Sequence, residues 1–101
     1  MKNNTLYTHG HSNEGNRFTI AVTLEKTDTE INSTFGISIC SKNDSFSKKI
    51  GRAISEGRAK KDPIFRACYE NSEIGFKEVK TDMFNLCKRM EENIIAYKKN
   101  L

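Results

Sequence analysis

Two runs of strict alternation constrain this chain more than any other feature. From Arg17 to Lys26, Phe18, Ile20, Val22 and Leu24 point one way and Thr19, Ala21, Thr23 and Glu25 the other, the period-two signature of a half-buried strand. After a polar turn at Thr27-Asp28-Thr29-Glu30, Phe35, Ile37 and Ile39 repeat the pattern against Gly36, Ser38 and Cys40. The two runs therefore pair as an antiparallel hairpin with an apolar face that needs a cover. Gly36, inside the second run, marks either a bulge, the commoner case, or the close approach of another backbone or a ligand.

The cover comes from the segments that follow. Asp44 or Ser45 can cap a helix in which Phe46, Ile50, Ala53, Ile54 and Gly57 recur at helical spacing and so face the sheet, with Lys48, Lys49, Arg52 and Glu56 turned away. The interior glycines Gly51 and Gly57 each cost about 1 kcal/mol against alanine, so close packing or ligand access is a reason to keep them. Asp62-Pro63 ends this helix, because the residue before proline is pushed out of the helical region, and Ile64 to Tyr69 reads as a further short strand. From about Lys80, with Thr81 or Asp82 as cap, Met83, Leu86, Cys87, Met90, Ile94, Tyr97 and Leu101 trace one apolar stripe. Ile95 lies outside that stripe and is available to a second subunit. The expected fold is α+β: a small antiparallel sheet packed with a short basic helix and a long C-terminal helix, forming one domain over residues 17–101 behind a polar leader at 1–16.

Composition narrows the function classes. The 101 residues carry 17 lysines and arginines against 13 acidic residues, a net charge of +4, which favours an anionic ligand without demanding nucleic acid. Cys40, Cys68 and Cys87 are an odd number without CxxC spacing, which argues for free thiols over a disulfide framework or a zinc site. No apolar run suits a signal peptide or a membrane span of about 20 residues, so a cytoplasmic protein is expected. His9-Gly10-His11 contains a metal-binding fragment, but it lies in the polar leader without an acidic or thiol ligand nearby, and a solvated terminus is the expectation. Gly51 and Gly57 fit neither GxGxxG nor the P-loop pattern. Both histidines sit in the leader and no nucleophile, base and acid stand together, so neither catalytic residues nor a cofactor or metal is expected.

The strand-to-helix junction holds the sharpest functional signal. Asn43, Ser45 and Ser47, a helix N-terminus and the cations Lys48, Lys49 and Arg52 suit a phosphorylated ligand. In its order of FTIAVTLE, FGISIC and FSKKIGRAISEGR over about residues 17 to 61, the chain resembles the Thoeris anti-defence type 1 family. These small phage proteins sequester cyclic ADP-ribose isomers made by bacterial TIR-domain enzymes. The resemblance implies a sponge that binds such a signal without cleaving it, in the cytoplasm of an infected bacterial host. It also implies assembly into homodimers, or hexamers built from dimers, and binding of cyclic oligonucleotides at a separate site, which Lys48 and Lys49 would serve.

The ligand-binding candidates come from residue chemistry alone: Lys49, Arg52, Arg58 and Arg89 as cations for a pyrophosphate, Phe65 and Phe84 as rings for adenine, and Asn85 as an amide. Their expected meeting place is a subunit boundary between the basic helix and the C-terminal helix, through which the chain would also dimerise. The alternative is a small basic α+β module that binds nucleic acid through the same helix, with a steep salt dependence. A third reading is a protein antagonist acting through the C-terminal helix.

Overall fold

The computed structural model describes residues 3–41 and 45–98. Four strands, β1 (Asn3–His11), β2 (Arg17–Lys26), β3 (Glu30–Ile39) and β4 (Phe65–Glu70), pair antiparallel in the order β1-β2-β3-β4. Helix α1 (Lys48–Lys61) crosses from β3 to β4, and α2 (Glu73–Glu92) and the single-turn α3 (Ile95–Lys98) follow. The fold is the α+β class expected. Within the expected 1–16 leader, residues 3–11 instead form an edge strand paired in unbroken register from Asn3 opposite Glu25 to His11 opposite Arg17. Its turn closes through Ser12 N–H to the Asn16 carbonyl at 2.8 Å, and Gly15 supplies the positive φ of 93° that this tight return requires.

Both faces of the sheet are covered. Phe18, Ile20, Val22 and Leu24 of β2, Ile31, Phe35 and Ile37 of β3, and Tyr69 of β4 form a buried core with Val79 and Met90 of α2 and Ile94 beyond it. The opposite face, expected to meet solvent, holds the equally buried Thr19 and Ala21 under α1. The two helices thus lie on opposite sides of the sheet.

α1 packs through a different face from the one its apolar spacing suggests. Its buried residues are Gly51, Ser55 and Ala59, one turn apart, whereas Ile50 and Ile54 are 60% and 40% exposed and a side chain at Gly57 would meet nothing within 4 Å. The cause is proximity: a Cβ on Gly36 would stand 2.2 Å from the Ser55 carbonyl oxygen and 2.4 Å from the Ala59 nitrogen. Gly36 is therefore a close-approach glycine rather than a bulge, and only small residues fit beneath the helix. The cap of α1 is Ser47, whose side chain accepts from the Ile50 N–H, and Asp62 ends the helix as Pro63 requires.

α2 begins earlier than its apolar stripe. Ser72 caps it, accepting from the Gly75 N–H at 3.1 Å, and Gly75 permits close contact with the Glu70 carbonyl at the end of β4. The helix stops at Glu92, with Asn93 as its cap, so the expected single helix to Leu101 is divided before Ile95. Leu101 lies outside the described residues, as do the candidate cap Asp44 and Asn43 at the junction.

Candidate ligand-binding cleft

Between β4, α2 and α3 lies a cleft of about 280 Å³ lined by Ile64, Phe65, Asp82, Asn85, Leu86, Arg89 and Tyr97. Positions 82, 85, 86 and 89 share one flank of α2, because residues three and four apart are neighbours on a helix. Pro63 stops the chain leaving α1 and delivers Phe65 at the start of β4, where its ring meets Phe35 edge-on at 5.2 Å. The helix break at Asn93 turns α3 back and brings Tyr97 to the rim.

The polar groups of the cleft have distinct states. Asp82 accepts the Tyr69 hydroxyl hydrogen bond, which fixes one carboxylate oxygen. Burial, then this hydrogen bond, push the Tyr69 phenol well above its ordinary range, so it stays protonated. Arg89 makes no ion pair among the described residues, where the one salt bridge is Lys60 to Glu56 at 3.6 Å. An aromatic ring, an amide, an unpaired guanidinium and an anchored carboxylate thus stand together.

Of the seven candidate site residues, the structure brings Phe65, Asn85 and Arg89 into this cleft. Lys49 and Arg52 lie on α1, across the sheet, so no single chain has a cleft between the basic helix and the C-terminal helix. Arg52 sits instead 6.0 Å from the Tyr7 ring centre. Arg58 donates through Nη1 to the Ile37 carbonyl at 2.8 Å, closing a polar group on β3 beyond the end of β4. Phe84 is 60% exposed with only the Lys88 ammonium 5.5 Å over its ring, outside the cleft. Residue chemistry alone does not single out Asp82 and Tyr97, which the fold adds to the cleft. The shared flank of Asp82, Asn85 and Arg89 was a usable signal; Tyr97 had none, because it depends on the helix break.

The HxH pair also has a structural setting. His9 Nδ1 lies 2.8 Å from Thr19 Oγ1 and its ring meets Phe46 edge-on at 5.8 Å, while the Arg17 guanidinium stacks 4.4 Å from the same Phe46 ring. Burial, followed by the charges of Lys48, Arg52 and Arg17, lowers the His9 pKa. This contradicts the solvated terminus expected. Among the described residues no group of three or more histidine, cysteine or acidic side chains is placed to hold a metal, and no helix is long and apolar enough to cross a membrane. No disulfide joins Cys40, Cys68 and Cys87.

Compared with known protein families, curated proteins and solved structures, the chain matches none.

Proposed function

We propose that this protein captures a cyclic ADP-ribose isomer intact, in the cleft between β4 and α2, and so acts as a sponge of the Thoeris anti-defence kind that its strand-to-helix segment resembles. The observation that carries this reading is the meeting of Phe65, Asn85 and Arg89 with Asp82 in one cleft. Arg89 would take the diphosphate through paired hydrogen bonds, Phe65 or Tyr97 the adenine face, Asn85 the base edge and the free oxygen of Asp82 the ribose hydroxyls. The lining contains no histidine, cysteine, serine or lysine, which suits retention of the ligand over its conversion.

Ligand pockets usually span about 300–1,000 Å³, so a cleft of about 280 Å³ takes the base and one ribose and leaves the diphosphate at the rim. A ligand of about 35 non-hydrogen atoms at about 0.3 kcal/mol each reaches about 10 kcal/mol, or tens of nanomolar. Stoichiometric capture in the cytoplasm of an infected bacterium works at that affinity. Assembly from dimers, and a second site for cyclic oligonucleotides near Lys48 and Lys49, belong to the same reading.

Isothermal titration with cyclic ADP-ribose isomers tests it. Saturable heat, recovery of unaltered ligand after denaturing the protein, and affinity about 10- to 100-fold weaker in Arg89→Ala are expected, the value of a hydrogen bond to a charged group. No heat with any isomer, or unchanged affinity in Arg89→Ala, overturns the assignment. Binding of a short duplex with steep salt dependence would support the nucleic-acid module instead.

A further inference from the structure

β3 outruns its neighbour. β4 pairs with β3 from Glu30 to Phe35 alone, whereas β3 continues to Ile39. The chain leaving α1 joins the sheet only at Ile64, whose N–H takes the Phe35 carbonyl at 2.9 Å. Beyond that point the outer side of β3 has no strand beside it among the described residues.

Alternation decides which backbone groups this leaves open. The Cys40 N–H donates to the Arg17 carbonyl, so Cys40 turns its backbone groups to β2 and Ile39 turns its own to the outer side, as Phe35 does. At Ile37, which is 2% exposed, the Arg58 guanidinium already takes the carbonyl at 2.8 Å. The N–H and C=O of Ile39 have no strand partner among the described residues. An unpaired edge of this kind is a template for an extended chain.

Beside it runs a groove of about 300 Å³, to which Ser38, Ile39, Phe46, Ile50 and Ile54 contribute and whose lining holds no charged side chain. Ile50 and Ile54 are 60% and 40% exposed, since α1 meets the sheet through Gly51, Ser55 and Ala59. One turn on, Arg58 continues the flank of Ile50 and Ile54. The groove is therefore apolar along its length and ends on a guanidinium.

We infer that this edge receives the C-terminal tail of a partner protein, ending in an aliphatic residue. Running antiparallel to β3 and in line with β4, the tail exchanges two backbone hydrogen bonds with Ile39. Its last residue lies opposite Ser38, on the face that α1 covers, and seats its side chain against Ile50 and Ile54. The free carboxylate reaches Arg58, whose other N–H groups give it charge-assisted hydrogen bonds. The choice of a chain end over an internal segment follows from the way the edge closes. Arg58 at Ile37 and Ile64 at Phe35 block the strand's path, so an incoming chain stops there, and the end that suits a guanidinium is the carboxylate. The cleft between β4 and α2 takes no part.

Chemical-shift titration with an acetylated tetrapeptide of serine, threonine, threonine and a terminal leucine, carrying a free carboxylate, tests this. Saturable shifts at Ser38, Ile39, Ile54 and Arg58 are expected, with the Ile39 amide slowed in hydrogen exchange. The same peptide closed as a C-terminal amide should bind about tenfold more weakly, the value of a hydrogen bond to a charged group. Arg58→Gln should weaken the free acid to the same degree. Ile50→Glu, at an exposed position, should do so as well, with the signals of the β4–α2 cleft unchanged. Equal binding of the acid and the amide, no shifts at Ser38 and Ile39, or unchanged affinity in both variants overturns the inference. Concentration-dependent shifts at Ile39 without peptide, which mark a second copy on this edge, overturn it too.

Discussion

A single methyl group added to Gly36 and to Gly57 should move stability in opposite directions. At Gly36 the new Cβ would lie 2.2 Å from the Ser55 carbonyl oxygen and 2.4 Å from the Ala59 nitrogen. Both are backbone atoms of α1, which cannot rotate aside as a flexible side chain would, so the helix must lift from the sheet over Thr19 and Ala21. Overpacking of this kind costs about 1–3 kcal/mol, and a backbone clash belongs at the upper end. The gain from replacing glycine within a strand, about 0.5–1 kcal/mol, leaves a net loss of about 2 kcal/mol. In a domain of this size that lowers Tm by about 8–16 °C. At Gly57 nothing lies within 4 Å of the added atom, so the ordinary helix preference applies and Gly57→Ala should stabilise by about 1 kcal/mol. Urea and thermal unfolding followed by circular dichroism measure both. If Gly36→Ala stays within about 0.5 kcal/mol of the parent, or the two variants shift in the same direction, the close packing of α1 on β3 is wrong.

Further outcomes follow from the other contacts. The raised Tyr69 pKa means that the fold favours the neutral phenol; its stabilisation is complete below the unfolded value of about 10 and is lost as pH rises beyond it. Unfolding midpoints taken at increasing alkaline pH should fall, and should fall less in Tyr69→Phe. His9 behaves in the reverse sense. Its lowered folded pKa makes the unfolded chain bind more protons, so stability is full above about pH 6.5 and declines as pH drops below it; His9→Gln should flatten that acid limb. Arg58→Ala should cost about 1–3 kcal/mol in denaturant midpoints by leaving the Ile37 carbonyl without its charged donor, while titration finds ligand affinity unchanged.

The parts of this fold legible in the sequence are those where side-chain periodicity and burial agree. β2 and β3 alternate cleanly, Asp62-Pro63 marks a real helix end, and Met83, Leu86, Cys87 and Met90 trace the buried side of α2. β1 carries no alternating apolar signal, because Leu6 is the only aliphatic side chain among its nine residues; its strand character comes from pairing with β2, which no local pattern encodes. The docking face of α1 was hidden for a different reason. Gly51, Ser55 and Ala59 pack by being small, whereas a search for apolar spacing selects Ile50 and Ile54, which the close approach leaves outside. The start of α2 was obscured by Gly75, a poor helix former retained for its contact with Glu70.

The candidate cleft was partly legible for related reasons. Phe65, Asn85 and Arg89 each suit a nucleotide by their own chemistry, and the pairing of β4 with β3 beneath α2 brings them together. Arg52 and Arg58 have the same chemistry but sit on the other side of the sheet. Which side each helix covers depends on the path of the chain through β4, and neither charge nor periodicity reports that path.

The central claim is that Phe65, Asn85 and Arg89 surround one cyclic ADP-ribose isomer, and amide and side-chain chemical shifts recorded during a titration test it most directly. Saturable shifts concentrated at Ile64, Phe65, Asn85, Arg89 and Tyr97 are expected, with the ligand's own signals unchanged in identity at the end. Shifts confined to Lys48, Lys49 and Arg52 on the far side of the sheet, or none at all, would contradict it.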